Sequence, residues 1–257
     1  MAEGEKKFWD SFWAKEGFSS LRAHSVLISA SENALGSFSG KRTLEVGSGR
    51  GVDSIEMARR GAICHIVDFS TSSFDLSLAL AGNSGIEVLP YQADAEQLPF
   101  ADGEFDLVFS QGLMEHPGLM RRLLPEQTRV TKPGGLVLID VPQLFSIQAI
   151  IKWIELQIGK WPFGPEVNFT EKQLRQTMES LGLKYVCSYG RELIPIVNLG
   201  IRRAIAKMGQ QASFASIQKP VLENLPAELD FATRFSLSTF GPKVLNNVGV
   251  IAQKPEI

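Results

Sequence analysis

Cysteine is nearly absent from this chain of 257 residues: Cys64 and Cys187 are the only two, and they stand far apart. They form no CxxC pair and no metal-type spacing, which removes zinc modules and disulfide scaffolds from consideration. Cys64 sits in an apolar run and reads as a buried, inert thiol, in keeping with a reducing, cytoplasmic setting. An excess of one charge is missing too. The 26 Lys and Arg nearly balance 28 Asp and Glu, for a formal net charge of -2, so no basic field points to nucleic acid. No uncharged apolar run approaches the roughly 20 residues that cross a bilayer. The opening MAEGEKKFWD has acids and no apolar stretch behind its lysines, unlike a secretory signal. The three histidines, His24, His65 and His116, are too scattered to suggest a metal site. Repeats and low-complexity segments are also lacking. What remains is an ordinary globular composition, 44% hydrophobic and 21% charged, with length enough for one large domain and its own core.

Along the first half, apolar runs alternate with helical patterns. Thr43–Val46, Ala62–Asp68, Glu87–Tyr91, Phe105–Ser110 and LVLIDV after the turn KPGG (Lys132–Gly135) read as strands. Val52–Arg60, Thr71–Ala81 and a segment opened by Pro117 and running towards Thr131 read as helices. Near-continuous apolar strands separated by helices imply a parallel sheet covered on both faces, a doubly wound α/β three-layer sandwich. The second half is less regular. Phe145–Ile158 and Thr170–Leu181 read as helices, the latter with a capping box from Thr170 and Gln173. Leu183–Tyr189 and Val248–Ala252 read as strands. Pro195, Pro220 and Pro226 interrupt helical pieces between them, and 209–219 reads as a mobile loop.

The stretch TLEVGSGRGVDSIEMARRGA places Gly47, Gly49 and Gly51 between a strand and a helix. A strand, a glycine turn and a helix start make a nucleotide-binding corner. The dinucleotide fingerprint GxGxxG would need a third glycine where Val52 stands, and Glu45 adds negative charge that repels a pyrophosphate and attracts a cation. Asp68, about twenty residues on, is positioned to accept both hydroxyls of a ribose; its alternative is a helix N-cap. Asp94 and Ala95 follow the third strand and offer an acid and a backbone amide to an adenine. Three strand ends thus describe a site for an adenosine ligand bearing a positive, non-phosphate group.

At this point the sequence resembles a family, the class I S-adenosylmethionine-dependent methyltransferases, close to the type 11 group. The resembling residues are LEVGSGRG (44–51), the acid of IVDFS (66–70), ADAEQLPFADGEFDLVFSQGLMEH (93–116) and RVTKPGGLVLIDVP (129–142). The resemblance implies a Rossmann-like, seven-stranded, mostly parallel sheet whose last strand is antiparallel. It also implies S-adenosyl-L-methionine as cofactor. Glu45, Gly47, Ser48, Gly49 and Gly51 would hold its methionine end, with Gln111 and Gly112 on the same side. Asp68, with Phe69 and Ser70 beside it, would bind the ribose, and Asp94 and Ala95 would sit at the adenine. One domain over 1–257 is then expected: an N-terminal cap at 5–36, a cofactor-binding core at 41–142, acceptor-side helices at 144–182 and 191–240, and closing strands at 183–189 and 247–253.

Methyl transfer from a sulfonium needs orientation, desolvation and a deprotonated acceptor rather than a metal or a nucleophilic side chain. His116, just past the fourth strand, is the candidate general base, with Glu115 as the alternative. Packing or helix capping is the competing role for His116. His65, inside a strand, reads as structural, and His24 as a wall of the acceptor pocket. Phe8, Trp9, Phe12 and Trp13 recur near helical spacing, either as a helix closing over the cofactor or as an aromatic stripe packed on the core. In Leu144–Gly164, Gln148, Lys152 and Glu155 form one narrow polar stripe on an otherwise apolar helix. It reads as a buried lid, as an apolar acceptor pocket or dimer contact, or as a membrane-surface element helped by Arg202, Arg203 and Lys207. A small or amphiphilic acceptor, such as a quinone, isoprenoid or lipid-linked sugar, suits these features. The oligomeric state and the methylated atom are not written in the residues. A nicotinamide-dependent oxidoreductase and a non-catalytic binder of the same cofactor are the rival functions.

Overall fold

Strands built from Val, Ile, Leu and Phe without alternation can only settle where both faces are covered. The computed structural model, which describes residues 3–15, 23–161, 163–192, 236, 238 and 241–256, arranges them so. β1 (Arg42–Val46), β2 (Ile63–Asp68), β3 (Leu89–Gln92), β4 (Phe105–Gln111) and β5 (Thr131–Pro142) run parallel. β7 (Asn247–Gln253) lies antiparallel between β5 and β6 (Lys184–Arg191). The order is β3-β2-β1-β4-β5-β7-β6, a seven-stranded sheet with an antiparallel last strand, as the resemblance implies. One apolar layer joins the sheet to α2 (Ser25–Leu35), α3 (Val52–Arg59) and α4 (Thr71–Asn83) through Leu27, Ile28, Ile55, Met57 and Phe74. The opposite layer joins it to α5 (Leu119–Val130) and α7 (Glu171–Ser180) through Leu123, Leu124, Leu174 and Met178.

Several local expectations are met. α7 carries the full capping box: the Gln173 N–H donates to the Thr170 hydroxyl, and the Gln173 side chain accepts from the Thr170 N–H. His65 is buried between Tyr91 and Phe105, a packing role. Cys64 is buried, accepts a hydrogen bond from the Thr43 hydroxyl, and has its thiol pushed up to about 12 by burial.

Other local expectations are corrected. Pro117 does not open α5. Gly118 follows it in the left-handed region (φ 81°), so helix begins only at Leu119. KPGG is not a turn ahead of β5 but an irregularity within it. Phe105 pairs with Thr131 and Leu107 with Leu136, so these residues bulge out between the two pairings. The bulge is tied to the far end of β7, where the Gly134 N–H donates to the Lys254 carbonyl and Lys254 Nζ donates to the Thr128 and Thr131 carbonyls. Pro195, Pro220, Pro226, Arg202, Arg203, Lys207 and the segment 209–219 lie outside the described residues.

α6 (Ile147–Gln157), capped by the Ser146 hydroxyl accepting from the Ala149 N–H, reverses the ordinary amphipathic rule. Lys152 of the polar stripe is 3% exposed, whereas Phe145 is 72% and Trp153 63% exposed. Lys152 can turn inward because partners wait there. Its Nζ lies 3.0 Å from Glu166 Oε2 and also donates to Asn168 Oδ1. The expectation of a helix buried through its apolar surface is therefore not met among the described residues.

Candidate active site at the carboxyl rim of the sheet

The turn after β1 makes the cradle. Gly47, Gly49 and Gly51 all have positive φ, so the tight left-handed turn is real. Gly49 carries a second constraint: a Cβ there would stand 2.6 Å from the Trp13 ring. Asp68, at the end of β2, pins the turn. Its carboxylate accepts the Gly49 N–H at 2.9 Å through one oxygen and the Ser70 N–H at 2.9 Å through the other. Burial raises its pKa, against those backbone hydrogen bonds. Ser70, not Asp68, is the N-cap residue of α4. Each carboxylate oxygen retains a lone pair for a further donor. The three glycines and Asp68 border a cavity of about 880 Å³.

Behind the turn lies a buried acid pair. Glu45 accepts the Ser54 hydroxyl at 2.6 Å, and its pKa is pushed up to about 8, by burial first and then by the charge of Asp53. Asp53 accepts from the His24 backbone N–H at 2.6 Å, meets His24 Nδ1 at 2.8 Å and accepts from the Gln111 amide. Burial opposes its ionisation, but the bonds and charge of His24 outweigh that and leave its pKa lowered. Two neighbouring carboxyls are thus driven apart: Asp53 charged, Glu45 holding its proton at neutral pH. Two buried oxygens on the cavity wall, Ser48 Oγ and Gln111 Oε1, have no hydrogen-bond partner among the described residues.

α1 (Glu3–Lys15) lies across the mouth of the cavity. The Ser70 hydroxyl donates to Asp10 at 2.6 Å. Trp9 stacks on Phe163 at 6.1 Å between centroids and meets the His116 ring edge-on at 5.9 Å. Past these rings opens a second cavity of about 340 Å³, which shares Trp9, Gly112, His116 and Phe163 with the first.

Of the residues singled out in the sequence, Glu45, Gly47, Ser48, Gly49, Gly51, Asp68, Phe69, Ala95, Gln111, Gly112 and His116 border the larger cavity, and His24 does too. Ser70 and Asp94 do not. Ser70 ties α1 to the end of β2, and Asp94 closes a turn by accepting the Glu96 N–H at 2.9 Å. Glu115 faces the smaller cavity, 5% exposed, with its pKa pushed up to about 8 chiefly by burial. Four groups escaped the sequence reading: Asp53, the Trp13 contact, the Lys152–Glu166 pair, and Arg191. The Arg191 guanidinium grips Asp140 at 2.8 and 2.9 Å on the cavity wall. An acid in the first turn after a glycine loop was a usable signal for Asp53. Nothing in the spacing of Lys152 and Glu166 announces their pairing.

Residues 44–139 match the family model "Methyltransferase domain". The match runs from β1 into β5 and takes in less than half of the chain. A demethylmenaquinone methyltransferase of Corynebacterium glutamicum (strain R) is 36% identical over 96 residues, 37% of this chain and 39% of that protein. The chain thus matches about two fifths of the length of that curated relative. The crystal structure of geranyl diphosphate C-methyltransferase from Streptomyces coelicolor A3(2), in complex with Mg2+, geranyl diphosphate and S-adenosyl-L-homocysteine, superposes with a TM-score of 0.62 at 14% identity, covering 98% of each chain. The [4+2]-cyclase SpnF superposes with a TM-score of 0.60 at 18% identity, over 95% of this chain and 86% of that one. At such identities the likeness shows a shared fold.

Proposed function

We propose that this chain transfers the methyl group of S-adenosyl-L-methionine to a small or amphiphilic acceptor. The observation that carries this reading is the cavity at the ends of β1, β2 and β4, with Ser48 Oγ and Gln111 Oε1 buried on its wall without hydrogen-bond partners among the described residues. Buried polar atoms of that kind are ordinarily satisfied, and a ligand with an ammonium and a carboxylate supplies what they lack. Gln111 and the glycine turn would hold the methionine end, Asp68 the ribose, and Phe69 and Ala95 the adenine. When bound, the cofactor supplies an electrophilic methyl group on a sulfonium. The chain's own part is to exclude water with α1, to orient the acceptor, and to take its proton.

His116 suits the last task because it stands where the two cavities meet. Glu115, protonated below about 8, is a hydrogen-bond donor rather than a base at neutral pH. The domain match and the curated relative support methyl transfer, and that relative's name supports an amphiphilic acceptor. The nicotinamide reading loses ground because its doubly wound sheets run in the order 3-2-1-4-5-6, without the antiparallel β7 inserted here. A fold-mate named as a cyclase keeps the non-methylating reading in play.

The test is titration with S-adenosylhomocysteine and with NAD, followed by turnover assays. The first ligand raises the melting midpoint, by the equivalent of about 2.7 kcal/mol at 100 times Kd, and NAD does not. His116→Ala then lowers kcat while leaving the affinity for S-adenosylhomocysteine unchanged. An indifferent chain, or a shift with NAD alone, ends the reading.

A further inference from the structure

The smaller cavity is a built polar seat. Glu166 is spent on its wall: one oxygen takes Lys152 Nζ at 3.0 Å and the other the Trp161 indole N–H at 3.2 Å. Glu115 and Asn246 are not spent. Glu115 Oε2 and Asn246 Nδ2 are buried and have no hydrogen-bond partner among the described residues, although both side chains border this cavity and are only 5% and 3% exposed. Lys152 Nζ has three donors, of which Glu166 and Asn168 take two. Leaving such groups dry and unpaired is costly.

We propose that this cavity seats the polar head of the acceptor, a neutral oxygen-bearing group such as a ring hydroxyl or carbonyl, held by Lys152, Asn246 and Glu115. The inference rests on the methyl-transfer reading and adds the substrate class to it. The charge around the seat decides the class. One lysine faces Glu166, Glu115 and Glu192. Lys152 is already matched by Glu166 and Glu192 by Arg191, while Glu115 holds its proton, so a carboxylate or diphosphate head would bring negative charge to a seat with no unmatched lysine or arginine among the residues that line it. A hydroxyl or carbonyl oxygen accepts from the amide and the ammonium without that penalty, while the walls of Trp9, Trp161 and Phe163 take an apolar ring.

The test uses three probes of one shape, naphthalene, 1-naphthol and 1-naphthoate, titrated at pH 7 into the full chain with and without saturating S-adenosylhomocysteine. 1-Naphthol binds at least tenfold more tightly than either of the others, equivalent to about 1.4 kcal/mol. Lys152→Met and Asn246→Ala each abolish its advantage over naphthalene and leave the affinity for S-adenosylhomocysteine as in the wild type. Equal binding of 1-naphthol and naphthalene, tighter binding of 1-naphthoate, or no binding of 1-naphthol overturns the proposal. So does an advantage that persists in Asn246→Ala, the variant that disturbs no ion pair. Failure to bind S-adenosylhomocysteine is read separately. It ends the methyl-transfer reading, whereas the probe ranking without that ligand still scores the seat.

Discussion

Asp68 does two jobs with one carboxylate. It accepts the N–H groups of Gly49 and Ser70, and it faces the cavity. Asp68→Ala would leave two backbone donors unpaired where water scarcely reaches, a loss of about 1–3 kcal/mol. It would also remove the proposed ribose contact. We expect a lower urea midpoint together with an affinity for S-adenosylhomocysteine weakened at least tenfold. An affinity as in the wild type would confine Asp68 to holding the turn. Asp68→Asn sharpens the comparison, because its amide keeps the shape and one acceptor oxygen but loses the charge. Glu45 differs in kind. It keeps its proton because burial disfavours its charge and because Asp53, beside it, is the one that His24 and Gln111 stabilise as an anion. A cation arriving in the cavity would draw that proton off.

Elements show how far residue patterns reach. The strands of the sheet and the box at Thr170 were legible because apolar runs and N-cap chemistry act over a few residues. The start of α5 was misread because Gly118, in a left-handed conformation, outranks the preference of Pro117 for a first helical turn. α6 was legible as a helix with a polar stripe, but not as one whose stripe turns inward. That choice is made by Glu166, fourteen residues beyond Lys152 and in no periodic relation to it. The reversal is measurable: Ile150→Gln, at a position 63% exposed, should change stability by no more than about 0.5 kcal/mol. A loss of several kcal/mol would mean that the outward face is covered. Gly249 in β7 was equally silent in the sequence. A Cβ there would stand 2.1 Å from the Tyr189 ring, which is buried and donates its hydroxyl to Asp140 at 2.9 Å. Gly249→Ala should therefore cost about 1–3 kcal/mol or more as an overpacked core. Equilibrium unfolding checks it, and a neutral result would mean that β6 and β7 separate easily.

For the whole molecule, the buried acids set how stability follows pH. Glu45 and Glu115 ordinarily titrate at 4.5, and burial lifts each to about 8 in the folded chain. Between those values the folded chain holds protons that the unfolded chain has released, so stability falls as pH rises. Asp53, Asp106 and Glu126 act in the opposite sense. Their pKa values are lowered when folded, Asp53 by His24, Asp106 by Lys132 and the Arg42 backbone, Glu126 by Arg129, each against burial. Their contribution is present above the ordinary carboxylate range and is lost in acid. Asp68, raised by burial, acts with Glu45 and Glu115, and His65, lowered by burial, acts against them below its ordinary 6.5. A decline of order a few kcal/mol towards pH 8 follows, at no more than about 1.4 kcal/mol per pH unit for each acid, with a plateau above. Urea midpoints measured from pH 4 to 9 read this curve directly. Subtracting the curve of Glu115→Gln isolates one acid: the variant should be the less steep of the two between pH 5 and 8 and run parallel to the wild type above. Parallel curves throughout would mean that Glu115 is ionised in the folded chain, and it would then be an acceptor in the smaller cavity, not a donor.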